Sequence, residues 1–124
     1  MSDENVKNEI EVVSTGGVVY IEDQVINEYV TSEVLALDGV SRMVGGISES
    51  FSKNFLGRET GSSGIKIERN DNHVTINISI IVYYAVNIPQ LSYDIQVNVK
   101  NAIENYTGLL VDAVNIEVEG IDRK

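Results

Sequence analysis

The chain has no cysteine and no tryptophan, and among its 124 residues there is a single proline and a single histidine. Without cysteine, disulfides and thiolate chemistry are excluded, and the redox compartment is left unconstrained. The lone imidazole, His73, cannot build a histidine-based metal site or a proton relay. We interpret it as a solvated residue of a hairpin turn.

Long apolar runs and an excess of positive charge are also missing. No run approaches the roughly 18 apolar residues of a membrane span, and the opening "MSDENVKNEIE" lacks the basic-then-apolar order of a signal peptide. We therefore expect a cytoplasmic protein without direct membrane insertion. The net charge of −10 repels phosphate backbones, so we expect no nucleic-acid partner.

Sequence patterns of catalysis are absent as well. There is no GxSxG elbow, no Ser-x-x-Lys pair, no P-loop lysine and no GxGxxG after a strand. Glu33 interrupts an apolar helical stripe, where it could be a general base or a structural acid that pairs with a cation such as Arg42. We favour the structural role, and we expect no enzyme, no catalytic residue, no cofactor and no metal site.

Hydrophobic periodicity predicts the fold. Residues 1–14 are expected to form an acidic flexible tail, tightening into a strand near residues 10–13, and residues 15–124 a single domain. Apolar side chains alternate over residues 74–84, which is typical of a strand with one packed and one solvated face. Helical stripes span residues 22–37 and 89–106. We predict an α+β two-layer sandwich with a mixed sheet, two main helices on one face, and the order β-α-β-(short α)-β-β-α-β.

Four residues are predicted to shape the helix ends and their surroundings. Glu33 is expected to be structural, as argued above. Gly39 is expected to cap the first helix in the left-handed conformation, and Gly108 to cap the last one in the same way. Pro89 suits the first turn of the last helix, where its missing N–H would be unpaired in any case.

The basic residues are unevenly distributed. Between residues 42 and 69 there are five basic and three acidic residues, so this window is +2 and the remainder is −12. The window is either ordinary surface scatter or a docking segment. Within it, Phe51 and Phe55 lie on one face of a short predicted helix, flanked by Lys53 and Arg58. They either complete the core or belong to a latch that binds an acidic surface.

Exposed apolar side chains provide further partner-binding candidates. Tyr93 and Val97 are expected opposite the buried stripe of the last helix, while Ile81 and Tyr83 are expected on the open face of the sheet. They are either isolated surface hydrophobes or parts of an interaction surface.

The segment "YYAVNIPQLSYDIQVNVKNAIENYTGLLVDAVNIEVEGI" resembles the alkaline-shock, or envelope stress response, protein family of Gram-positive bacteria. "SEVLALDGV" and "GIKIE" extend the likeness to about residues 16–121. Ala85 departs from the family, which usually has glycine there. The matching positions in the long segment are Ile88, Pro89, Gln96, Val99, Thr107, Gly108, Leu109, Val114, Asn115, Val118 and Gly120.

The resemblance implies a non-enzymatic cytoplasmic protein of envelope homeostasis and stress response. It implies a homo-oligomer, and possible recruitment to the membrane through a separate membrane-anchor protein. Two functions remain open: a self-associating scaffold or docking module, and a regulatory module for a metabolic enzyme, such as a lipid-metabolism enzyme of membrane-lipid synthesis.

Overall fold

The structure, a computed structural model, describes residues 9–12, 16–45 and 64–124, with the backbone alone for residues 9–12. The predicted short helix at residues 47–57 lies outside them. The α+β class is confirmed, and the strand expected near residues 10–13, which the predicted order did not count, is present at residues 9–12. In chain order the elements are β1 (Glu9–Val12), β2 (Gly17–Tyr20), α1 (Asp23–Leu35), β3 (Val40–Met43), β4 (Ile65–Asn70), β5 (His73–Tyr83), α2 (Ile88–Thr107) and β6 (Leu110–Asp122).

The main sheet has four strands and is built around β5. β5 pairs antiparallel with β3 and β4, and parallel with β6. The predicted mixed sheet is therefore confirmed. The parallel pair needs a long crossover between its strands, and α2 provides it.

β3 and β4 lie end to end along the same edge of β5. Both meet at Ser79, whose carbonyl accepts from the Val44 N–H at 3.1 Å and whose N–H donates to the Gly64 carbonyl at 2.8 Å. Gly64 has a φ of +76°, and a Cβ there would lie 2.8 Å from the Val44 carbonyl oxygen. Only glycine fits this junction, because any side chain would meet rigid backbone.

The core lies between the sheet and the two helices. On β5 the buried residues alternate with half-buried ones, as the sequence pattern predicts. The helices cover this one face, and among the described residues no element packs on the opposite face, the open face of the sheet. The fully buried large side chains are Ile26, Val30, Val34, Val74, Ile76, Ile78, Ile80, Val82, Ile95, Val99, Ile103 and Leu109.

Both helices differ in detail from the predicted stripes. On α1, Val25 is exposed, whereas Val34, predicted at the edge of the stripe, is fully buried. On α2, Tyr106 is not a core residue: it is 65% exposed and stacks on Tyr29 with ring centroids 5.3 Å apart. The stripe is otherwise as predicted, because apolar residues spaced three and four apart share a helix face.

β1 and β2 form a separate antiparallel ribbon, with Glu9 opposite Tyr20. Four residues of the predicted flexible tail thus form a strand. All the side chains of β2 are exposed. The ribbon joins the main body through Ile21 and the start of α1.

Candidate functional site

The open face of the main sheet carries polar side chains in rows across the strands. Lys66, Asn77 and Asn115 lie in register on β4, β5 and β6. The Asn115 amide donates to Asn77 Oδ1 at 2.9 Å. Cross-strand hydrogen bonds of this kind stabilise strand pairing on a solvent-exposed face of a sheet.

A depression of about 560 Å³ lies on this face. Its charged groups are the carboxylates of Glu68 and Glu117 and the ammonium of Lys66, and Ser79 provides a hydroxyl. The described lining residues include no imidazole. The described lining residues are Gly64, Ile65, Lys66, Glu68, Asn77, Ser79 and Glu117.

Ile81 and Tyr83 lie on the open face at the carboxyl end of β5, and both are half-buried. Ile81 lies across Gly120 of β6, where an added Cβ would be only 3.1 Å from Ile81 Cδ1. The Lys124 ammonium lies 4.9 Å from the centre of the Tyr83 ring. This end of the face is therefore an apolar and aromatic area with a cation above it.

Asp122 connects β6 to β3 at the same end of the sheet. The Ser41 hydroxyl donates to Asp122 Oδ2 at 2.7 Å, and Arg42 Nε donates to the same oxygen at 3.3 Å. The Ser41 hydrogen bond and the nearby Arg42 charge hold the pKa of Asp122 below its usual value. The predicted pairing of Glu33 with Arg42 is therefore wrong, because Arg42 pairs with Asp122. No described residue forms an ion pair with Glu33.

Arg69, at the other end of the basic window, is also engaged within the chain. Only 9% of its side chain is exposed. Its Nε donates to Asp23 Oδ1 at 2.8 Å, its Nη2 donates to the Ile21 carbonyl, and its guanidinium carbon lies 5.4 Å from the centre of the Tyr20 ring. Arg69 thus joins β4 to the start of α1 and to the ribbon. Arg69 is therefore unavailable as a free docking charge, whereas Arg42 is paired with Asp122 but 45% exposed.

His73 is the first residue of β5 and not an isolated turn residue. Its Nδ1 lies 2.7 Å from Asp112 Oδ1 on β6, and both side chains are about half exposed. The sequence pattern could not reveal this pair, because the two residues meet only through the parallel pairing of β5 and β6.

The predicted partner-binding residues do not form one surface. Ile81 and Tyr83 face away from the helix layer, whereas Tyr93 lies on α2 and is 60% exposed, with Val97 half-buried nearby. The two pairs lie on different layers of the sandwich. The remaining candidates lie outside the described residues: Phe51, Phe55, Lys53 and Arg58.

The helix ends bear out two of the four structural predictions. Pro89 lies in the first turn of α2, two residues after the N-cap Asn87. The Asn87 side chain accepts a hydrogen bond from the Gln90 N–H at 2.9 Å. Gly108 has a φ of 84° and caps α2.

Gly39 does not cap α1, because the cap is Ala36. A Cβ at Gly39 would lie 2.6 Å from Val86 Cγ2, so the reason for glycine is close packing. Glu33 is half-buried on α1.

A feature that the sequence analysis did not identify is the row of polar side chains that α2 directs at β6. Lys100 Nζ lies 3.4 Å from the Val111 carbonyl, and Glu104 accepts from the Val111 N–H at 2.9 Å. Gln96 donates to the Val114 carbonyl at 3.0 Å. The only sequence signal was their spacing of four residues, which puts them on one side of a helix.

Glu104 is held in its charged form by these contacts. The Val111 N–H and then the Lys100 ammonium, 2.9 Å away, place its pKa below the usual value for a glutamate.

No group of three or more histidine, cysteine, aspartate or glutamate side chains among residues 9–12, 16–45 and 64–124 is arranged to hold a metal ion. In that same part of the chain, neither helix combines the length and apolar character required to span a membrane.

Comparison with known proteins identifies relatives in Gram-positive bacteria. The chain is 29% identical to the uncharacterized protein YqhY of Bacillus subtilis (strain 168) over 105 residues, covering 85% of this chain and 77% of YqhY. It is 26% identical to the uncharacterized protein Spy1614 of Streptococcus pyogenes serotype M6 over 114 residues, covering 90% of this chain and 93% of that protein.

No solved structure matches significantly. The model of the Asp23 family (a family name, unrelated to residue 23), described as having a cell envelope-related function, matches residues 5–123. The resemblance identified in the sequence is thereby confirmed: the chain belongs to the Asp23 family.

Proposed function

We propose that this protein is a non-enzymatic cytoplasmic protein of envelope homeostasis and stress response that acts as a self-associating scaffold or docking module. The observation that carries the proposal is the one-sided sheet. Both helices pack on one face, and Ile81 and Tyr83 are left on the other, alternating with the fully buried Ile80 and Val82.

We place the contact between copies on this open face. Its carboxyl end combines the apolar Ile81 with the Tyr83 ring, and aromatic side chains are enriched at protein interfaces because they bury a large area. The rest of the face carries charges of both signs, such as Lys66 and Glu117, so a cation of one copy can lie opposite a carboxylate of the other.

Sedimentation velocity over a range of protein concentrations tests the proposal, with two matched tyrosine variants. Tyr83→Ser should weaken self-association about ten-fold, which is the size of one lost aromatic contact. Tyr93→Ser removes an equally large exposed ring from the helix layer and should leave association unchanged. Association that depends on Tyr93 and not on Tyr83 would move the contact to α2, and a strictly monomeric wild type would refute the scaffold role.

Membrane recruitment through a separate anchor protein is tested by cosedimentation. The purified protein should not sediment with protein-free vesicles of anionic lipid, because its net charge is −10. It should sediment with native membranes, and protease treatment of those membranes should abolish this. Equal binding to protein-free vesicles would contradict the proposal.

The second candidate function is regulation of a partner enzyme, for instance one of membrane-lipid synthesis. The outer edge of β6, which pairs with no strand among the described residues, favours it, since a sheet edge offers a binding site that does not require a second copy. A stoichiometric complex of monomers with one enzyme, isolated from cells, would favour this role over the scaffold.

A further inference from the structure

The outer edge of β6 is divided into two halves. The backbone groups of a strand point alternately to its two edges, and the pairing with β5 directs those of Val111, Val114, Ile116, Val118 and Ile121 outward. The α2 side chains bond the Val111 N–H and carbonyl and the Val114 carbonyl. Within the described residues, no comparable contact reaches Ile116, Val118 or Ile121.

The free half extends from Ile116 to Ile121, about 17 Å at the rise of a strand. It offers the N–H and carbonyl groups of three residues to an added strand. Ile116 and Val118 are half-buried, and Ile121 is 59% exposed. Natural proteins protect long exposed edges, and the side-chain bonds from α2 that cover Val111 and Val114 are not repeated on this half by any described residue.

Apart from Ile121, the exposed side chains along this half are acidic. Glu117 lies opposite Ser79 on the open face, and Glu119 is the extra residue of a bulge. Neither forms an ion pair with any residue that the structure describes.

These carboxylates argue against a second copy of β6 as the occupant. When the β6 strands of two copies pair antiparallel about Glu117, the Glu117 side chains of the two copies lie opposite each other. When they pair about Val118, Glu117 of one copy lies opposite Glu119 of the other. Like charges directly opposite each other destabilise a strand pair. A pair centred on Ile116 puts Val118 opposite Val114, whose carbonyl is already bonded to Gln96.

We propose that the free half of β6 binds an extended segment of a different protein, in which Lys or Arg alternates with apolar residues. Its cations lie opposite Glu117 and Glu119, its apolar side chains lie beside Ile116 and Val118, and its backbone extends the sheet by one strand. The inference rests on the docking role proposed above and identifies the chemistry of one partner.

A labelled synthetic peptide of alternating lysine and valine, measured by fluorescence anisotropy with the full chain, is the probe. Each control peptide has the same sequence, with N-methyl groups on the backbone amides that point to one edge of the strand and on no others. Its charge is kept, and strand pairing on that edge is lost. Peptides methylated on either edge are both tested, because the bound edge is not known in advance. We expect at least one of them to bind about ten-fold more weakly than the parent.

Two charge-reversed proteins with equal net charge complete the experiment. Glu117→Lys with Glu119→Lys should weaken binding of the parent peptide at least about ten-fold, whereas Glu22→Lys with Glu28→Lys, exposed acids outside β6, should change it less than about three-fold. Amide hydrogen exchange at Ile116 and Val118 should slow when the parent peptide is added.

Three results would overturn the inference. They are binding of both methylated peptides as tight as that of the parent peptide, equal effects of the two double variants, or no binding of the parent peptide by the wild-type protein. Exchange protection at Ile116 and Val118 that rises with protein concentration alone would assign the edge to a second copy instead. Self-association through Tyr83 is measured separately, so a wild type that self-associates and ignores the peptide would refute this inference and leave the scaffold role intact.

Discussion

Ala85 has a φ of 73°, in the left-handed region that disfavours any residue with a Cβ. Asp71, the other described non-glycine residue with positive φ, lies in the tight turn between β4 and β5, where aspartate is tolerated. Ala85 connects β5 to α2, at the position where the family resemblance leads one to expect glycine. The backbone geometry explains that preference.

Replacing Ala85 by glycine should therefore stabilise the protein. Left-handed geometry costs a non-glycine residue about 1–2 kcal/mol, and the extra freedom of glycine in the unfolded chain offsets about 0.4–1 kcal/mol of this. We expect a gain of about 0.5–1 kcal/mol in the free energy of unfolding, measured by urea denaturation. Ala36→Gly is the control, since Ala36 has an ordinary φ of −75° and should lose stability on replacement. Equal losses in both variants would contradict the strain at Ala85.

Gly64 gives the opposite residue-scale prediction. Gly64→Ala adds a Cβ at positive φ and within 2.8 Å of the Val44 carbonyl oxygen, whereas Gly16→Ala adds one at a φ of +80° with no atom within 4 Å. Both variants carry the conformational cost, so their difference isolates the clash. We expect Gly64→Ala to lose about 1–3 kcal/mol more than Gly16→Ala in urea denaturation. Equal losses would show that the β3–β4 junction adjusts to the added methyl group at little cost in stability.

At the scale of elements, the packing of α2 on β6 depends on a charged side chain that the sequence did not single out. The pKa of Glu104 is lowered, so its ionised form contributes stability above the unfolded-state pKa of about 4.3, and this is lost as pH falls through the lower folded-state pKa. Glu104→Gln should reduce the free energy of unfolding at pH 7 by about 1 kcal/mol, since a hydrogen bond to a charged group is weakened.

The difference between wild type and Glu104→Gln should shrink as pH falls below the unfolded-state pKa, because the unfolded chain then binds a proton that the folded Glu104 binds only at lower pH. Urea denaturation at a series of pH values measures this. Glu28→Gln, an exposed acid on α1, should show no comparable difference at any pH. A Glu104→Gln deficit that persists unchanged at pH 3 would mean that packing, and not charge, is responsible.

The sequence predicted those elements whose signal is local. The alternation over β5 and the stripe of α2 are properties of consecutive residues, and the structure confirms both except at their last predicted members, Tyr84 and Tyr106, which are exposed. What could not be predicted depends on register between distant segments. The bulge that follows Val111 in β6 shifts which of its residues face α2, and no single-strand pattern encodes that shift. His73 meets Asp112, and Arg69 meets Asp23, for the same reason.

At the scale of the whole molecule, the basic window has no single role. Arg42 and Arg69, which bound it, form ion pairs with Asp122 and Asp23, while Lys66 remains exposed beside the depression on the open face. Sequence charge counts treat these cations alike, although burial and pairing separate them. The latch hypothesis for residues between them stays a prediction.

The two sheets should differ sharply in stability. β5 has paired neighbours on both edges and a fully buried face, whereas β2 is exposed along its length and pairs with β1 alone among the described residues. An isolated two-stranded ribbon is at best marginally stable in water. Its amides should open locally, while those of β5 exchange only on global unfolding.

Hydrogen exchange measured by mass spectrometry or NMR tests this. The amides of Ile76, Ile78 and Ile80 should be the slowest, and those of Val18 and Val19 should exchange at least about a hundred-fold faster, equivalent to an opening free energy lower by about 2.7 kcal/mol. The measurement is repeated at two protein concentrations, because association of copies could cover the ribbon. Slow exchange of Val18 and Val19 in the dilute monomer would show that the ribbon is a stable part of the core structure. Slow exchange at high concentration alone would show that another copy covers it.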